Sequence, residues 1–141
     1  MSAHLKQRYL LPEPRSALAG AVWRHATAAM DVSDGLAGDL AQLCRASGVA
    51  AEIDVAAVPL SDAARAAVAS DPALLETVLT GGDDYEIVLT LAPEKLASAF
   101  TAAHAADVAM SEIGSVVAGE GVRFIHHGNA LVLAKPSYSH F

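Results

Sequence analysis

Two acidic segments of the chain contain residue types that can hold a metal ion and a phosphate. In the first, Asp31, Ser33 and Asp34 precede Gly35, and the second, residues 81–86, reads Gly-Gly-Asp-Asp-Tyr-Glu. Carboxylates about 5 Å apart repel one another by on the order of 3 kcal/mol at an effective dielectric constant of about 20. A hard cation such as Mg²⁺ removes this repulsion and binds phosphate oxygens as well. The two segments therefore predict metal–phosphate chemistry, or one half of a site for it.

The first segment lies where an apolar strand pattern changes to a helical one. Asp31 ends the predicted strand, and Ser33 and Asp34 stand at the start of the predicted helix, whose N–H groups and dipole favour an anion. Asp31 and Asp34 are candidate metal ligands, and Ser33 is a candidate donor to a nucleotide or phosphate. The alternative is that Ser33 or Asp34 only caps the helix, which accounts for one of the three polar residues. Asp39, further along the helix, is assigned to its solvated face.

The second segment is a loop that leads into a predicted strand. If the strand begins at Asp84, then Asp84 and Glu86 point to one face of it. Asp83 follows the glycine pair 81–82 and is best placed to meet a ligand, for which its carboxylate suits a cationic ring better than a phosphate. The alternative is a turn with acidic flanks.

Composition sets limits on fold and function. The 141 residues are 53% apolar and 18% charged, which predicts one folded domain with a sizeable core. The net charge is −7 with no block of Lys or Arg, so we exclude nucleic-acid binding as a main function. The single cysteine, Cys44, excludes an internal disulfide and is expected to be a buried thiol. The sequence shows neither a signal peptide nor an apolar run of membrane-spanning length, so we expect a soluble cytoplasmic protein without a membrane partner.

Helix and strand patterns alternate along the chain, which then ends in strands. This order predicts an α+β fold with α/β layers, in which a mixed sheet is flanked by helices. Trp23, on the first helix, is expected in the core. Helices are predicted at 14–25, 35–47, 61–69, 71–79 and 93–106, and strands at 28–32, 49–55, 85–91, 113–117, 122–125 and 130–133, the last two as an edge hairpin.

Several motifs occur in the order and spacing of a known family. The chain resembles the C-terminal half of thiamine-monophosphate kinases, in the superfamily of aminoimidazole ribonucleotide synthetase, with the same type of fold. The resemblance covers nearly all of residues 1–141, read as a single C-terminal-type domain. It is carried by Arg8–Leu10, Pro12–Arg15, Ala29–Leu36, Ser47–Val49, Pro59–Ser61, Thr80–Glu86, Ile113–Gly114 and Gly119–Val122.

The resemblance implies transfer of the γ-phosphate of ATP to thiamine monophosphate, which gives thiamine diphosphate with Mg²⁺ as cofactor. By motif, Asp31 and Asp34 correspond to Mg²⁺ ligands and Ser33 to an ATP contact. Asp83 corresponds to a substrate contact and Tyr138 to a terminal aromatic that meets the thiamine. In-line phosphoryl transfer depends on positioning and charge neutralisation, so no covalent nucleophile is required. Further candidates for substrate contacts are Asp84, Gly81 and Gly82.

The chain also departs from the family pattern. Asp83 stands where the family usually has Glu, and Tyr138 where Trp is common. The family's N-terminal half lies outside these residues, and it carries further metal-binding aspartates, most nucleotide contacts and the homodimer interface. We therefore expect the 141 residues alone to fold but to be inactive or nearly so.

Two other functions stay open from the sequence. One is a non-catalytic module that binds thiamine phosphate or metal. The other is a related superfamily member, either a ribonucleotide synthetase or a hydrogenase-maturation protein. A maturation protein should carry a reactive C-terminal cysteine, whereas the cysteine of this chain is at position 44.

Overall fold

The computed structural model describes Ala3 and residues 15–81 and 86–134. Within these residues no helix is long and apolar enough to cross a membrane. The α-helices are α1 (Ala19–His25), α2 (Leu36–Ser47), α3 (Asp62–Ser70), α4 (Leu74–Thr80) and α5 (Leu96–Ala105). The strands are β1 (Ala26–Val32), β2 (Ala50–Asp54), β3 (Glu86–Leu91), β4 (Gly114–Val117), β5 (Gly121–His126) and β6 (Asn129–Leu131). Short 3₁₀ turns occupy Ser16–Leu18, Val55–Ala57 and Pro93–Lys95.

Local sequence signals set the ends of these helices. The Ser61 hydroxyl accepts a hydrogen bond from the Ala64 N–H at 3.1 Å and caps α3, as its residue type predicts. Gly48 ends α2 in the left-handed conformation, with a φ of 67°. There the Val49 N–H donates to the Cys44 carbonyl, which pairs one of the carbonyls that a helix end leaves open.

The strands divide between two sheets. Strands β1 and β3 pair antiparallel as a two-stranded ribbon. The other sheet has the order β4-β2-β5-β6, in which β2 and β5 are parallel and the remaining pairs are antiparallel. The predicted α+β class with a mixed sheet is confirmed, as is the edge hairpin formed by β5 and β6.

Helix α2 joins the ribbon to the mixed sheet, because it packs on β1, β2 and β5. Its apolar residues Ala37, Leu40 and Cys44 recur at helical spacing and are all buried. Burial of a leucine side chain stabilises a fold by about 1.5–3 kcal/mol, so Leu40 contributes substantially to the packing of α2 on these strands. The same core contains Val32, Ala51, Ile53, Val55, Leu79, Val88 and Phe124.

The prediction that Trp23 lies in the core is wrong, because its side chain is 91% exposed. Helix α1 instead buries Ala21, which together with Leu18 packs on Ala103 of α5. Residues two apart on a helix lie about 200° apart around its axis, so a helix that buries Ala21 turns Trp23 outward.

Cys44 is 2% exposed, and burial raises the pKa of its thiol. Since the folded state then holds the proton more tightly than the unfolded state, this residue's contribution to stability is complete below about pH 8.5. We expect it to be lost as the pH rises through the folded-state pKa. Urea titrations from pH 7 to 10 should show a steeper alkaline loss of stability for the parent chain than for Cys44→Ala. Equal slopes would contradict this prediction.

Candidate functional site

The pairing of β1 with β3 brings the two acidic segments together. Val32 lies opposite Glu86, and Asp31 lies opposite Ile87. The end of the first segment and the last residue of the second therefore meet at one end of the ribbon, which we call the acidic end. Residues 82–85 connect α4 to β3 at this end.

A second contact between the two segments is made by Gly35, which packs against Thr80 and Gly81. We call this contact the Gly35 junction. Its φ is 98°, and a Cβ built on it would lie 2.5 Å from the Thr80 carbonyl oxygen and 2.9 Å from that of Gly81. No side chain fits there, so α2 can begin against the end of α4 only with glycine. The close approach expected of Gly35 is therefore made to protein backbone.

Gly81 is the last residue described before the acidic loop. It follows α4, and its N–H donates to the Thr77 carbonyl at 2.7 Å. This contact fixes where the loop leaves the helix. Of the other candidates in this part of the chain, three lie outside the described residues: Gly82, Asp83 and Asp84.

The polar side chains of the first segment do not serve as helix caps. The N-cap position of α2 is Gly35, and no side chain makes a cap hydrogen bond there, so the capping alternative is wrong. Asp31 is exposed, on the same face of β1 as Thr27 and Ala29. Ser33 and Asp34 are half-buried in the bend that follows.

Asp39 is buried, at 2% exposure, and its assignment to the solvated face of α2 is wrong. One of its oxygens, Oδ2, accepts hydrogen bonds from the backbone N–H of Ser33 at 2.7 Å and of Asp34 at 2.9 Å. The bend before α2 turns these two N–H groups back towards the first turn of the helix, where a carboxylate is favoured by the dipole. The N–H groups of Ser33 and Asp34 are therefore not open to an anion. An acidic residue in a first helical turn was the signal available in the sequence.

Arg15 fixes the start of β3. Its Nε donates to Glu86 Oε2 at 3.0 Å, and its Nη2 donates to Glu86 Oε1 at 2.7 Å. The side chains are 29% and 43% exposed, so the pair stabilises the fold by about 1 kcal/mol at most. Its main effect is geometric, since a bidentate pair defines the orientation of both groups. Sequence reasoning missed this contact between Pro12–Arg15 and the second acidic segment.

Glu76 of α4 contacts Ala134, the last residue that the structure describes. Glu76 Oε1 accepts a hydrogen bond from the Ala134 N–H at 2.6 Å. Glu76 is four residues before Thr80, which is about 6 Å along a helix axis. Ala134 is therefore held by a residue one helical turn from the Gly35 junction. Tyr138 itself lies outside the described residues.

Two carboxylates of the first segment are suited to a Mg²⁺ ion. Among residues 15–81 and 86–134, no three His, Cys, Asp or Glu side chains are grouped as a closed metal site. Mg²⁺ does not need such a cage, because proteins usually bind it through one or two carboxylates together with water and substrate phosphates. The hard oxygen donors of Asp31 and Asp34 fit this pattern.

The fold and its acidic end define a class of protein. Residues 6–127 match the family described as AIR synthase related protein, C-terminal domain. The chain belongs to this family.

Within the class, the chain is similar to thiamine-monophosphate kinases. It is 40% identical over 137 residues to the kinase of Caulobacter vibrioides, covering 95% of this chain and 39% of that relative. The kinase structure from Stenotrophomonas maltophilia superposes with a TM-score of 0.81 at 37% identity, covering 91% of this chain and 40% of that one. The structure of AaThiL complexed with AMPPCP and TMP superposes with a TM-score of 0.77 at 32% identity, covering 98% of this chain and 41% of that one. The resemblance is confirmed, and the chain spans about two fifths of the length of these relatives.

We expect Gly35→Ala to be strongly destabilising, by about 3 kcal/mol or more, because positive φ and steric overlap add. Gly48→Ala is the matched control, since Gly48 has a φ of 67° but no atom within 4 Å of the added Cβ. It should cost only about 1–2 kcal/mol. Urea unfolding of both variants measures the difference. Equal losses would show that the Gly35 junction is not tightly packed.

Proposed function

We propose that this chain forms the C-terminal part of an ATP-dependent kinase that converts thiamine monophosphate to thiamine diphosphate. The observation that carries the proposal is the meeting of the Asp31–Gly35 segment with the glycine-rich acidic segment at one end of the ribbon. The similarity to AaThiL, whose structure contains AMPPCP and TMP, supports both ligands. The polar side chains of the Asp31–Gly35 segment make no cap hydrogen bond at the start of α2.

The proposed roles follow from the chemistry of each side chain. Asp31 and Asp34 hold Mg²⁺, which when bound neutralises charge on the phosphates of ATP. The Ser33 hydroxyl donates to the nucleotide. Asp83 faces the cationic thiazolium ring, and Tyr138 packs on the thiamine. The residues act by positioning and by charge, as in-line phosphoryl transfer requires, and form no covalent intermediate.

The proposal assigns only part of the active site to this chain. The matched relatives are about two and a half times as long, and we propose that their N-terminal part supplies the remaining metal and nucleotide contacts. The complete enzyme is proposed to be a cytoplasmic homodimer. Its substrates, thiamine monophosphate and ATP, are polar phosphates of the kind held in the cytoplasm.

The kinase proposal is tested by joining this chain to the N-terminal part of the Caulobacter vibrioides kinase. The fusion should form thiamine diphosphate from thiamine monophosphate, ATP and Mg²⁺, measured by chromatography. Asp31→Ala and Asp34→Ala should each lower the rate by about 100-fold, because charge stabilisation of the reacting phosphate is lost. Glu94→Gln is the control. Glu94 is exposed and follows β3 at the other end of the ribbon, so its loss of charge should leave the rate unchanged. Full activity of both aspartate variants would overturn the proposed roles.

A separate titration tests whether the chain alone recognises its substrate. Thiamine monophosphate is added to the 141-residue chain with and without Mg²⁺, and binding is followed by calorimetry and NMR. We expect saturable binding that Asp83→Ala and Tyr138→Ala each abolish, since each removes a proposed contact with the thiamine. Absence of binding at millimolar ligand would exclude a free-standing binding module. Binding that survives both substitutions would place the substrate elsewhere.

A further inference from the structure

Asp39 is a buried carboxylate that contacts the backbone of the first acidic segment. Burial of an ionised carboxylate is costly unless hydrogen bonds compensate for the lost water. Asp39 receives two such bonds, both from the backbone of the segment proposed to hold the metal. A side chain needed only for packing would be apolar at this depth, as Ala37 and Leu40 are on the same helix. The position of Asp39 therefore calls for a role of its own.

We propose that Asp39 is a positioning residue that fixes the Ser33–Asp34 bend, so that Asp31 and Asp34 are presented to a divalent cation. The inference rests on the metal placement proposed above and extends it to a residue that touches neither metal nor substrate. Metal ligands commonly depend on hydrogen-bonded partners of this kind for their orientation.

The geometry of the two hydrogen bonds supports this role. The N–H groups of consecutive residues converge on one oxygen, at 2.7 and 2.9 Å. Rotation of either peptide plane would break a bond, so both planes on either side of Ser33 are held. Asp39 is itself carried by α2, whose buried Leu40 and Cys44 lie in the main core. The bend is thereby tied to the buried core of the molecule.

The charge of Asp39 gives the bend a preference for cations. Its carboxylate occupies the N–H groups of Ser33 and Asp34, so these two groups of the bend cannot bind an anion. It also adds negative charge beside Asp31 and Asp34, which favours a divalent cation electrostatically. A neutral acceptor at position 39 would preserve the hydrogen bonds without this second effect.

The experiment separates geometry from charge with two substitutions in the 141-residue chain. In Asp39→Asn, the single amide oxygen can still accept both bonds, since both go to one oxygen of Asp39, but the charge is lost. In Asp39→Ala, bonds and charge are both lost. Glu94→Gln removes one exposed negative charge at the far end of the ribbon and serves as the control.

Two measurements are made by ¹⁵N NMR, with Mn²⁺ as the cation. Amide exchange should be slow at Ser33 and Asp34 in the parent chain and fast in Asp39→Ala. Paramagnetic broadening at residues 31–34 gives the Mn²⁺ affinity, which should fall roughly tenfold or more in Asp39→Ala. Asp39→Asn should lose less affinity than Asp39→Ala and keep slow exchange, and Glu94→Gln should match the parent.

Several results would overturn the inference. A folded Asp39→Ala chain with parental Mn²⁺ affinity would do so, as would fast exchange at Ser33 and Asp34 in the parent. If Asp39→Ala does not fold, Asp39→Asn decides. Parental Mn²⁺ affinity in that variant would overturn the cation preference ascribed to the charge, and parental affinity despite faster exchange at Ser33 and Asp34 would overturn the positioning role. Failure of Mn²⁺ to broaden residues 31–34 in the parent would remove the metal placement, and with it the role of Asp39. The fusion assay for kinase activity gives its answer independently of these outcomes.

Discussion

The start of helix α2 lies directly against the backbone at the end of helix α4, and the arrangement of the acidic end depends on this contact. Only a residue without Cβ fits at Gly35, where the Thr80 carbonyl oxygen occupies the space of a side chain. The contact fixes the position of the first acidic segment relative to Gly81, where the second acidic segment follows α4. The β1–β3 pairing fixes the other side of the same junction. The positions of Gly81 and Glu86, the two described ends of the second segment, are therefore both set by contacts.

The carboxylates at the acidic end are stabilised in different ways, depending on how deeply each is buried. Asp39 is buried and receives two backbone hydrogen bonds, while Glu86 is partly exposed and pairs with Arg15. Asp31 remains at the surface, where water stabilises its charge without a fixed partner geometry. Burial and hydrogen bonding thus differ from one carboxylate of the acidic end to the next.

The proposed kinase site lies only partly on this chain. Two carboxylates fill part of the coordination sphere of Mg²⁺, so bound phosphates should tighten a metal that the carboxylates alone hold more weakly. The chain spans about two fifths of the matched kinases, and the proposal assigns the remaining contacts to the rest of the protein. Under this proposal, recognition of thiamine needs only this chain, whereas transfer of phosphate needs both parts.

The sequence by itself determined the helices and strands, the fold class, the family and the candidate residues Asp31, Ser33, Asp34 and Asp83. These depend on local periodicity, caps and motif order, which can be read directly from the order of the residues. Only the tertiary structure decided that Trp23 points outward, that Asp39 is buried and that Arg15 holds Glu86. Each of these depends on which face of an element meets another element distant in sequence. An exposed and a buried aspartate in a helix look alike in the sequence, because the N–H groups that make burial possible come from a backbone bend.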